Sequence, residues 1–185
     1  MNEKTKKSLL VALIVVLGVA LDQVVKMYIL SHFQLYEDRP LTSWFHLCYI
    51  LNDGMAFGVE WFDKLALTLF RLVAVGLLCW YLHLLIHKRP ARTSYLVTIA
   101  FVMAGALGNI VDCVFYGPLF QHGQWFYGKV VDMLYFPLIR NGAGEVLFFR
   151  PVFNVADSYI TCAVIVILLF FTKDLNASLD KKVEK

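Results

Sequence analysis

Two aspartates of this 185-residue chain stand where a carboxylate is costly, and as a pair they could hydrolyse a peptide bond. Asp132 interrupts an apolar run at residues 130–134, so it must be paired, hydrogen-bonded or protonated. Asp157 stands near the start of a long apolar segment. If the two carboxyl groups are close, they share one proton: the ionised group takes a proton from water, and the protonated group polarises the scissile carbonyl. This chemistry needs no metal and no cofactor, although spacing in the sequence does not show that the two groups meet.

Asp157 also has a structural interpretation. Asn154 is a good helix N-cap, and a carboxylate three residues later answers the free amides of the first helical turn. This interpretation explains Asn154 fully and Asp157 in part, because Glu is the usual residue at that position. No other catalytic motif competes: the chain has no H-E-x-x-H, no G-x-S-x-G and no Gly-rich phosphate loop, and its four cysteines form no C-x-x-C motif and imply no disulfide framework.

The elements that must position these groups are membrane helices. Hydrophobic residues make up 59% of the chain and charged residues 17%, against about 45–50% and about 25% in soluble domains. The mean hydropathy is +0.65. Four stretches approach the roughly 20 residues that cross a bilayer, at about 8–30, 65–86, 93–111 and 155–172. The predicted fold is therefore a membrane α-helical domain of four transmembrane helices that includes all of residues 1–185.

The distribution of positive charge predicts the orientation. The N-terminus, the connection between spans two and three, and the C-terminus together carry ten Lys and Arg residues. The two long loops, at about 31–64 and 112–154, carry five in many more residues. By the positive-inside rule both termini are cytoplasmic and both long loops are extracytoplasmic. A charge of +3 without a basic, aromatic-interleaved run indicates no nucleic-acid partner.

The outer loops are expected to form a small extracytoplasmic β platform. Residues 44–51, 127–139 and 145–153 are rich in aromatic and apolar residues and predict strands. Turn signals follow at Asn52-Asp53-Gly54 and at Asn141-Gly142.

Ionisable residues in the predicted spans agree in depth. Asp22, Lys26, Arg71, Asp112 and Asp157 all fall toward the outer leaflet under this topology, and Asp22 and Lys26 share one helix face. Intramembrane charges are functional candidates by default, and their common depth favours function. Lys26 and Arg71 also have a simpler explanation, because each could extend its charged end to the interface.

The chain resembles the lipoprotein signal peptidases (signal peptidase II), which are bacterial membrane aspartyl peptidases. Five segments, in order along the chain, carry the resemblance: Asp22-x-x-x-Lys26, Asn52-Asp53-Gly54-Met55-Ala56-Phe57, Gly105-Ala106-Leu107-Gly108-Asn109-Ile110-Val111-Asp112, Gly128-Lys129-Val130-Val131-Asp132, and Phe153-Asn154-Val155-Ala156-Asp157-Ser158. The family usually has Arg directly after the third-segment aspartate. Here that position is Cys113.

The resemblance implies a site and a substrate. Asp132 and Asp157 would be the catalytic dyad. The residues that would support or line the site are Asp22, Lys26, Asn52, Gly54, Asn109, Asp112, Asn154 and Ala156. The substrate would be a prolipoprotein whose signal peptide is cut off just before a diacylglyceryl-modified Cys. The enzyme would be a multi-pass monomer in the bacterial cytoplasmic (inner) membrane, in contact with membrane lipids.

Three alternatives remain at this point. Another kind of intramembrane aspartyl protease usually carries Gly-x-Gly-Asp, which this chain lacks. A small transporter or channel subunit could use Asp22, Arg71 and Asp112 as a polar pathway, but it would need inner-leaflet charges and inverted repeats. A lipid-binding relative without activity is opposed by the presence of both Asp132 and Asp157.

Overall fold

The computed structural model describes residues 1–53, 63–89, 91–121, 123–141, 146–148 and 151–180. The described residues form four long helices and a small sheet. The long helices are α1 (Glu3–His32), α2 (Lys64–His87), α3 (Thr93–Val111) and α5 (Val155–Phe170). Helix α3 continues through a π-helical turn (Asp112–Tyr116) into the short α4 (Gly117–Leu119), and α6 (Thr172–Leu179) follows α5.

Three helical segments are long and apolar enough to cross a membrane: α1, α2, and α3 with its extension to Leu119. The fourth is shorter than the sequence predicts. Helix α5 ends at Phe170 after 16 residues, and the chain bends by 87° into α6. The bend lies where the apolar run gives way to Thr172-Lys173-Asp174, and the ring of Phe171 packs on Tyr95 of α3 with 5.6 Å between centroids. By length and composition, the described residues thus hold three helices able to cross a membrane, or four if α5 and α6 make one broken span.

Helix α3 lies at the centre of the helical layer and packs on α1, α2 and α5. Close approach depends on small residues. A Cβ added at Gly105 would come 2.4 Å from the Ala156 carbonyl oxygen, and one at Gly108 would come 2.7 Å from Asp22 Oδ2. The outward faces are apolar, with Val16, Leu77 and Leu168 all more than half exposed, which suits a lipid surround.

The predicted β platform is present. Strands β1 (Asp38–Pro40), β2 (His46–Asn52), β3 (Val130–Tyr135) and β6 (Val152–Phe153) form an antiparallel sheet in the order β1-β2-β3-β6. Strands β4 (Ile139–Arg140) and β5 (Val146–Phe148) pair as a separate antiparallel hairpin. The segments predicted at 127–139 and 145–153 are therefore each divided into two short strands. One side of the sheet packs on α1 around Ile29, Val131 and Met133.

Two contacts place the chain's N-terminus beside the connection between α2 and α3. Lys4 Nζ donates to the carbonyl of His87, at 3.1 Å, and Lys7 Nζ donates to that of Ala91, at 3.2 Å. The sheet packs at the opposite end of α1, where Ile29 and Phe33 belong to the platform core. The two ends of the bundle therefore differ: one gathers the positively charged segments, and the other carries the platform.

Candidate active site

Asp132 lies in the middle of β3, the most buried strand of the sheet, and its side chain is 1% exposed. Neighbouring Val131 and Met133 have no exposed surface. Two side-chain amides satisfy the carboxyl group: Asn52 Nδ2 donates to Oδ2 at 2.8 Å, and Asn154 Nδ2 donates to Oδ1 at 2.7 Å. The sequence predicts that this aspartate is paired, hydrogen-bonded or protonated, and the structure shows it hydrogen-bonded. One partner lies at the end of β2 and the other directly after β6.

Asp157 is the third residue of α5 and part of its capping box. Asn154 Oδ1 accepts from the backbone N–H of Asp157 at 2.8 Å, and Asp157 Oδ2 accepts from the backbone N–H of Asn154 at 3.4 Å. The structural interpretation of Asp157 is thus correct. It is incomplete, because Asp157 Oδ1 also accepts from Asn109 Nδ2 at 2.8 Å. The capping geometry fixes the side-chain direction of Asp157, and the second bond ties it to α3.

Asn109 and Asn154 join the two aspartates in one network. Asn154 Nδ2 donates to Asn109 Oδ1 at 3.1 Å as well as to Asp132, while Asn109 Nδ2 donates to Asp157. Both amides are buried, with Asn154 fully inaccessible and Asn109 8% exposed. Two carboxyl groups that are 25 residues apart in the chain are therefore held at one place by two asparagines from different helices.

The electrostatic environment favours a proton on Asp132. Burial raises the pKa of Asp132 to about 7, and the negative charge of Asp157 adds to the increase. The hydrogen bonds from Asn52 and Asn154 and the charge of Lys26 oppose it. Near neutral pH the pair thus carries a carboxyl group able to donate a proton beside a second carboxyl group.

A buried ion cluster lies next to this network. Lys26 Nζ contacts Asp22 Oδ2 at 2.8 Å and Asp112 Oδ2 at 2.9 Å, and all three side chains have no exposed surface. Lys26 also donates to Asn109 Oδ1 at 3.2 Å, which connects the cluster to the aspartate pair. Lys26 does not extend to an interface, so the simpler explanation of this residue is wrong.

Gln23 belongs to the same cluster, and the sequence analysis missed it. Its Nε2 donates to Asp112 Oδ1 at 3.0 Å and lies 3.1 Å from Asp22 Oδ2, and its Oε1 accepts from the hydroxyl of Tyr116 at 2.9 Å. The signal available was a polar side chain next to Asp22 inside an apolar span. Tyr116 carried no such signal, because only the π-helical turn after α3 brings its hydroxyl to α1.

The remaining site predictions have mixed outcomes. Ala156 is fully buried, and its backbone N–H donates to Asp22 Oδ1 at 2.9 Å. Gly54 lies outside the described residues, as does the rest of its motif up to Phe57. Cys113 is fully buried, and Arg71 Nη1 lies 2.8 Å from its Sγ, so a guanidinium reaches position 113 from α2 although residue 113 is not Arg. Among the described residues, no group of three His, Cys, Asp or Glu side chains could hold a metal ion.

The fold and the site define a class: a multi-pass membrane protein with a hydrogen-bonded pair of aspartates at the platform end of its bundle. The family model of signal peptidase (SPase) II matches residues 14–173. The chain is 38% identical to a lipoprotein signal peptidase of Porphyromonas gingivalis, with 93% of this chain and 87% of that protein aligned. It is 34% identical to one of Streptococcus pneumoniae, over 91% of this chain and 96% of that protein. The chain therefore belongs to the signal peptidase II family, and the resemblance seen in the sequence is confirmed.

Solved structures agree with this assignment. Two structures of bacterial membrane enzymes, determined by the in meso method at 2.3 Å and 1.9 Å resolution, superpose with TM-scores of 0.68 and 0.66. Their sequences are 25% and 26% identical to this chain, and the alignments cover 93% and 89% of it. The protein is accordingly a membrane peptidase.

Proposed function

We propose that this chain is an aspartyl endopeptidase that removes the signal peptide from diacylglyceryl-modified prolipoproteins, cutting just before the lipidated Cys. Family membership supports the substrate class. The observation that carries the mechanism is the network in which Asn109 and Asn154 join Asp132 to Asp157. The proposed catalytic unit is a single domain that extends over residues 1–185 and acts as a monomer.

The two aspartates would have different roles. Asp132, whose pKa is raised to about 7, holds the proton of the pair, and Asp157 is ionised. Asp157 takes a proton from water as the water oxygen bonds to the scissile carbonyl carbon, and Asp132 gives its proton to the carbonyl oxygen. In the second step Asp157 gives its proton to the leaving nitrogen, the C–N bond breaks, and a hydroxyl proton returns to Asp132. Protons and charges balance, and the pair regains its starting state.

The other polar residues would hold the pair and the substrate. Asn109 and Asn154 use their amides on the carboxyl groups, so their role is to orient the dyad. Asn52 is only partly buried and lies at the end of β2 beside Asp132, where an extended peptide could also reach its side chain. Gly54 belongs to the same proposed substrate-binding segment. The lipid-modified Cys would stay in the surrounding lipid, held at the depth of the dyad by its acyl chains.

The proposed orientation has both termini in the cytoplasm and the platform outside. The positively charged segments gather at one end of the bundle, where Lys4 contacts the connection after α2. The positive-inside rule assigns that end to the cytoplasm. The dyad then faces the outer leaflet of the bacterial cytoplasmic (inner) membrane.

Cleavage of a purified diacylglyceryl-modified prolipoprotein tests the proposal. Asp132→Asn and Asp157→Asn should each abolish cleavage while the protein still folds and inserts, because one shared proton needs two carboxyl groups. Asp38→Asn is the matched control, since Asp38 lies on the same sheet and contacts His46 rather than the dyad. It should cleave at the wild-type rate. Normal cleavage by either dyad variant would refute the assignment.

A further inference from the structure

The residue just before each dyad aspartate is held by the same ion cluster. The backbone N–H of Val131 donates to Asp112 Oδ2 at 3.1 Å, and the backbone N–H of Ala156 donates to Asp22 Oδ1 at 2.9 Å. Lys26 contacts both of these carboxylates. A single ammonium from α1 thus connects the chain at Val131-Asp132 to the chain at Ala156-Asp157.

Gln23 makes this connection stiffer. Its amide nitrogen lies within 3.2 Å of the Asp22 and Asp112 carboxylates and of the Gly108 carbonyl, and Tyr116 fixes its oxygen. Gly108 leaves room for the arrangement, because a Cβ there would come within 2.7 Å of Asp22 Oδ2. The cluster therefore joins α1, α3, β3 and α5 at the level of the dyad.

A contribution to stability does not by itself explain a buried ion cluster at this position. Buried ion pairs repay their desolvation cost only with excellent geometry, and apolar side chains of similar volume are often as stabilising. The bonds made here go to two particular backbone groups. We propose that Asp22, Gln23, Lys26 and Asp112 are positioning residues, which hold β3 and α5 in the register that brings the dyad together and act on the dyad through their net charge. This inference rests on the proposed function.

The charge of the cluster faces the dyad from several elements. Asp132 faces Asp157 from α5, Lys26 from α1 and the amides of Asn52 and Asn154. Asp112, from the π-helical turn after α3, contacts Lys26 and the backbone N–H of Val131, the residue before Asp132. The ammonium of Lys26 lowers the pKa of Asp132, although burial and Asp157 dominate. With all three members ionised, the cluster carries a net charge of −1, so removing one carboxylate makes it neutral and should make ionisation of Asp132 easier.

The variant Asp112→Asn distinguishes a positioning role of Asp112 from a role in stability alone. We expect kcat to fall about 10²-fold with KM changed less than about threefold, because a displaced carboxyl group impairs the chemical step more than binding. The alkaline limb of the pH–rate profile should move down by roughly one pH unit. Adding Lys26→Met restores the net charge of −1 and should return the limb to its wild-type position without restoring kcat. Asp22→Asn should behave like Asp112→Asn.

Two further variants complete the design. Gln23→Leu removes the bridging amide without changing any charge, so kcat should fall several-fold while the alkaline limb stays in place. The control is Glu3→Gln with Lys7→Met, which removes an ion pair of the same i,i+4 spacing and a length of 2.9 Å from the other end of α1. Its kinetics should match those of the wild type. Thermal unfolding of every variant in the same detergent identifies any that do not fold.

An infrared titration makes the test independent of catalysis. The carboxyl band lost in Asp132→Asn reports protonation of Asp132 directly, and its midpoint should shift down in Asp112→Asn and return in the double variant. Coincident midpoints in all folded variants would overturn the inference even if the wild type cleaves normally. If the wild type does not cleave, the proposed function fails, while the infrared midpoints still confirm or refute the influence of the cluster on Asp132.

Discussion

Replacing Asp132 by Asn should remove a loss of stability that the wild type shows between acidic and alkaline pH, and it should abolish activity. The wild-type carboxyl group has a pKa of about 7 when folded and about 3.9 in an unfolded chain. The folded state therefore binds the proton more tightly, and stability is greatest below the unfolded pKa. Stability falls as the pH rises between the two values, and the loss is complete above the folded pKa. Asn has no proton to lose, so the variant lacks this dependence.

The size of this change in stability follows from the difference between the folded and unfolded pKa values of Asp132. A difference of about three pKa units corresponds to about 4 kcal/mol between acidic and alkaline limits. Between pH 5 and pH 8 the wild type should lose about 2–3 kcal/mol that Asp132→Asn retains. The NH2 group of an Asn at this position would also face the NH2 group of Asn52 or Asn154, so one hydrogen bond is lost. This loss costs about 1–3 kcal/mol at every pH. The pH dependence of the difference is therefore more informative than its value at one pH.

The assay is thermal unfolding of wild type, Asp132→Asn and Asp174→Asn in one detergent at pH 5 and pH 8. Asp174 pairs with Arg92, which keeps its charge throughout this range. For a chain of this size, 2–3 kcal/mol is about 4–12 °C in Tm. The Tm difference between Asp132→Asn and wild type should rise by that amount from pH 5 to pH 8, and the Asp174→Asn difference should stay constant. A pH-independent difference for Asp132→Asn would show that Asp132 ionises normally and would refute its role as the proton donor.

Three other predictions concern topology, capping and the thiol. Reporter fusions after His87 and Lys173 should be cytoplasmic and one near Gly123 extracytoplasmic, because of the ten-to-five distribution of Lys and Arg; an external signal at His87 would contradict the orientation. Asn154→Ala should lower stability by about 0.5–2 kcal/mol and lower activity much more, because Asn154 both caps α5 and donates a hydrogen bond to Asp132. Small, equal effects in unfolding and cleavage assays would show that Asn154 acts only as a helix cap. Cys113→Ala should keep most activity and chelators should not inhibit, because the thiol is fully buried and the proposed chemistry uses neither thiol nor metal. Cys113→Arg should be tolerated if the position faces substrate or lipid. Complete loss of cleavage in Cys113→Ala, or full inhibition by a chelator, would overturn the mechanism.

The structure argues against tolerance of Cys113→Arg, because the side chain at position 113 has no exposed surface and Arg71 already contacts it. The structure thus favours a packed position, at which an added guanidinium would meet another positive charge. Cleavage by Cys113→Arg at the wild-type rate would show that the π-helical turn adjusts to admit it.

The sequence alone determined the class of the molecule, the long helices and the identity of the dyad candidates. Apolar runs of about 20 residues can hide their backbone polar groups in lipid only as helices, so α1, α2 and α3 follow from composition and length. The capping box at Asn154 and Asp157 is equally local, since its bonds lie within three residues. The family was recognisable because five short segments occur in order.

Only the tertiary structure decided how these pieces meet. The two partners of Asp132 are 80 and 22 residues away, and the two carboxylates joined by Lys26 are 90 positions apart in the chain. No local pattern encodes such contacts, because they depend on helix packing that Gly105 and Gly108 permit. The break after Phe170 is similar: hydropathy predicts a span to 172, but the packing of Phe171 on Tyr95 and the polar residues that follow turn the chain away. The packing of α1 on α3 also buries Lys26 fully and Gln23 partly, and so makes two polar residues of a membrane helix part of the site.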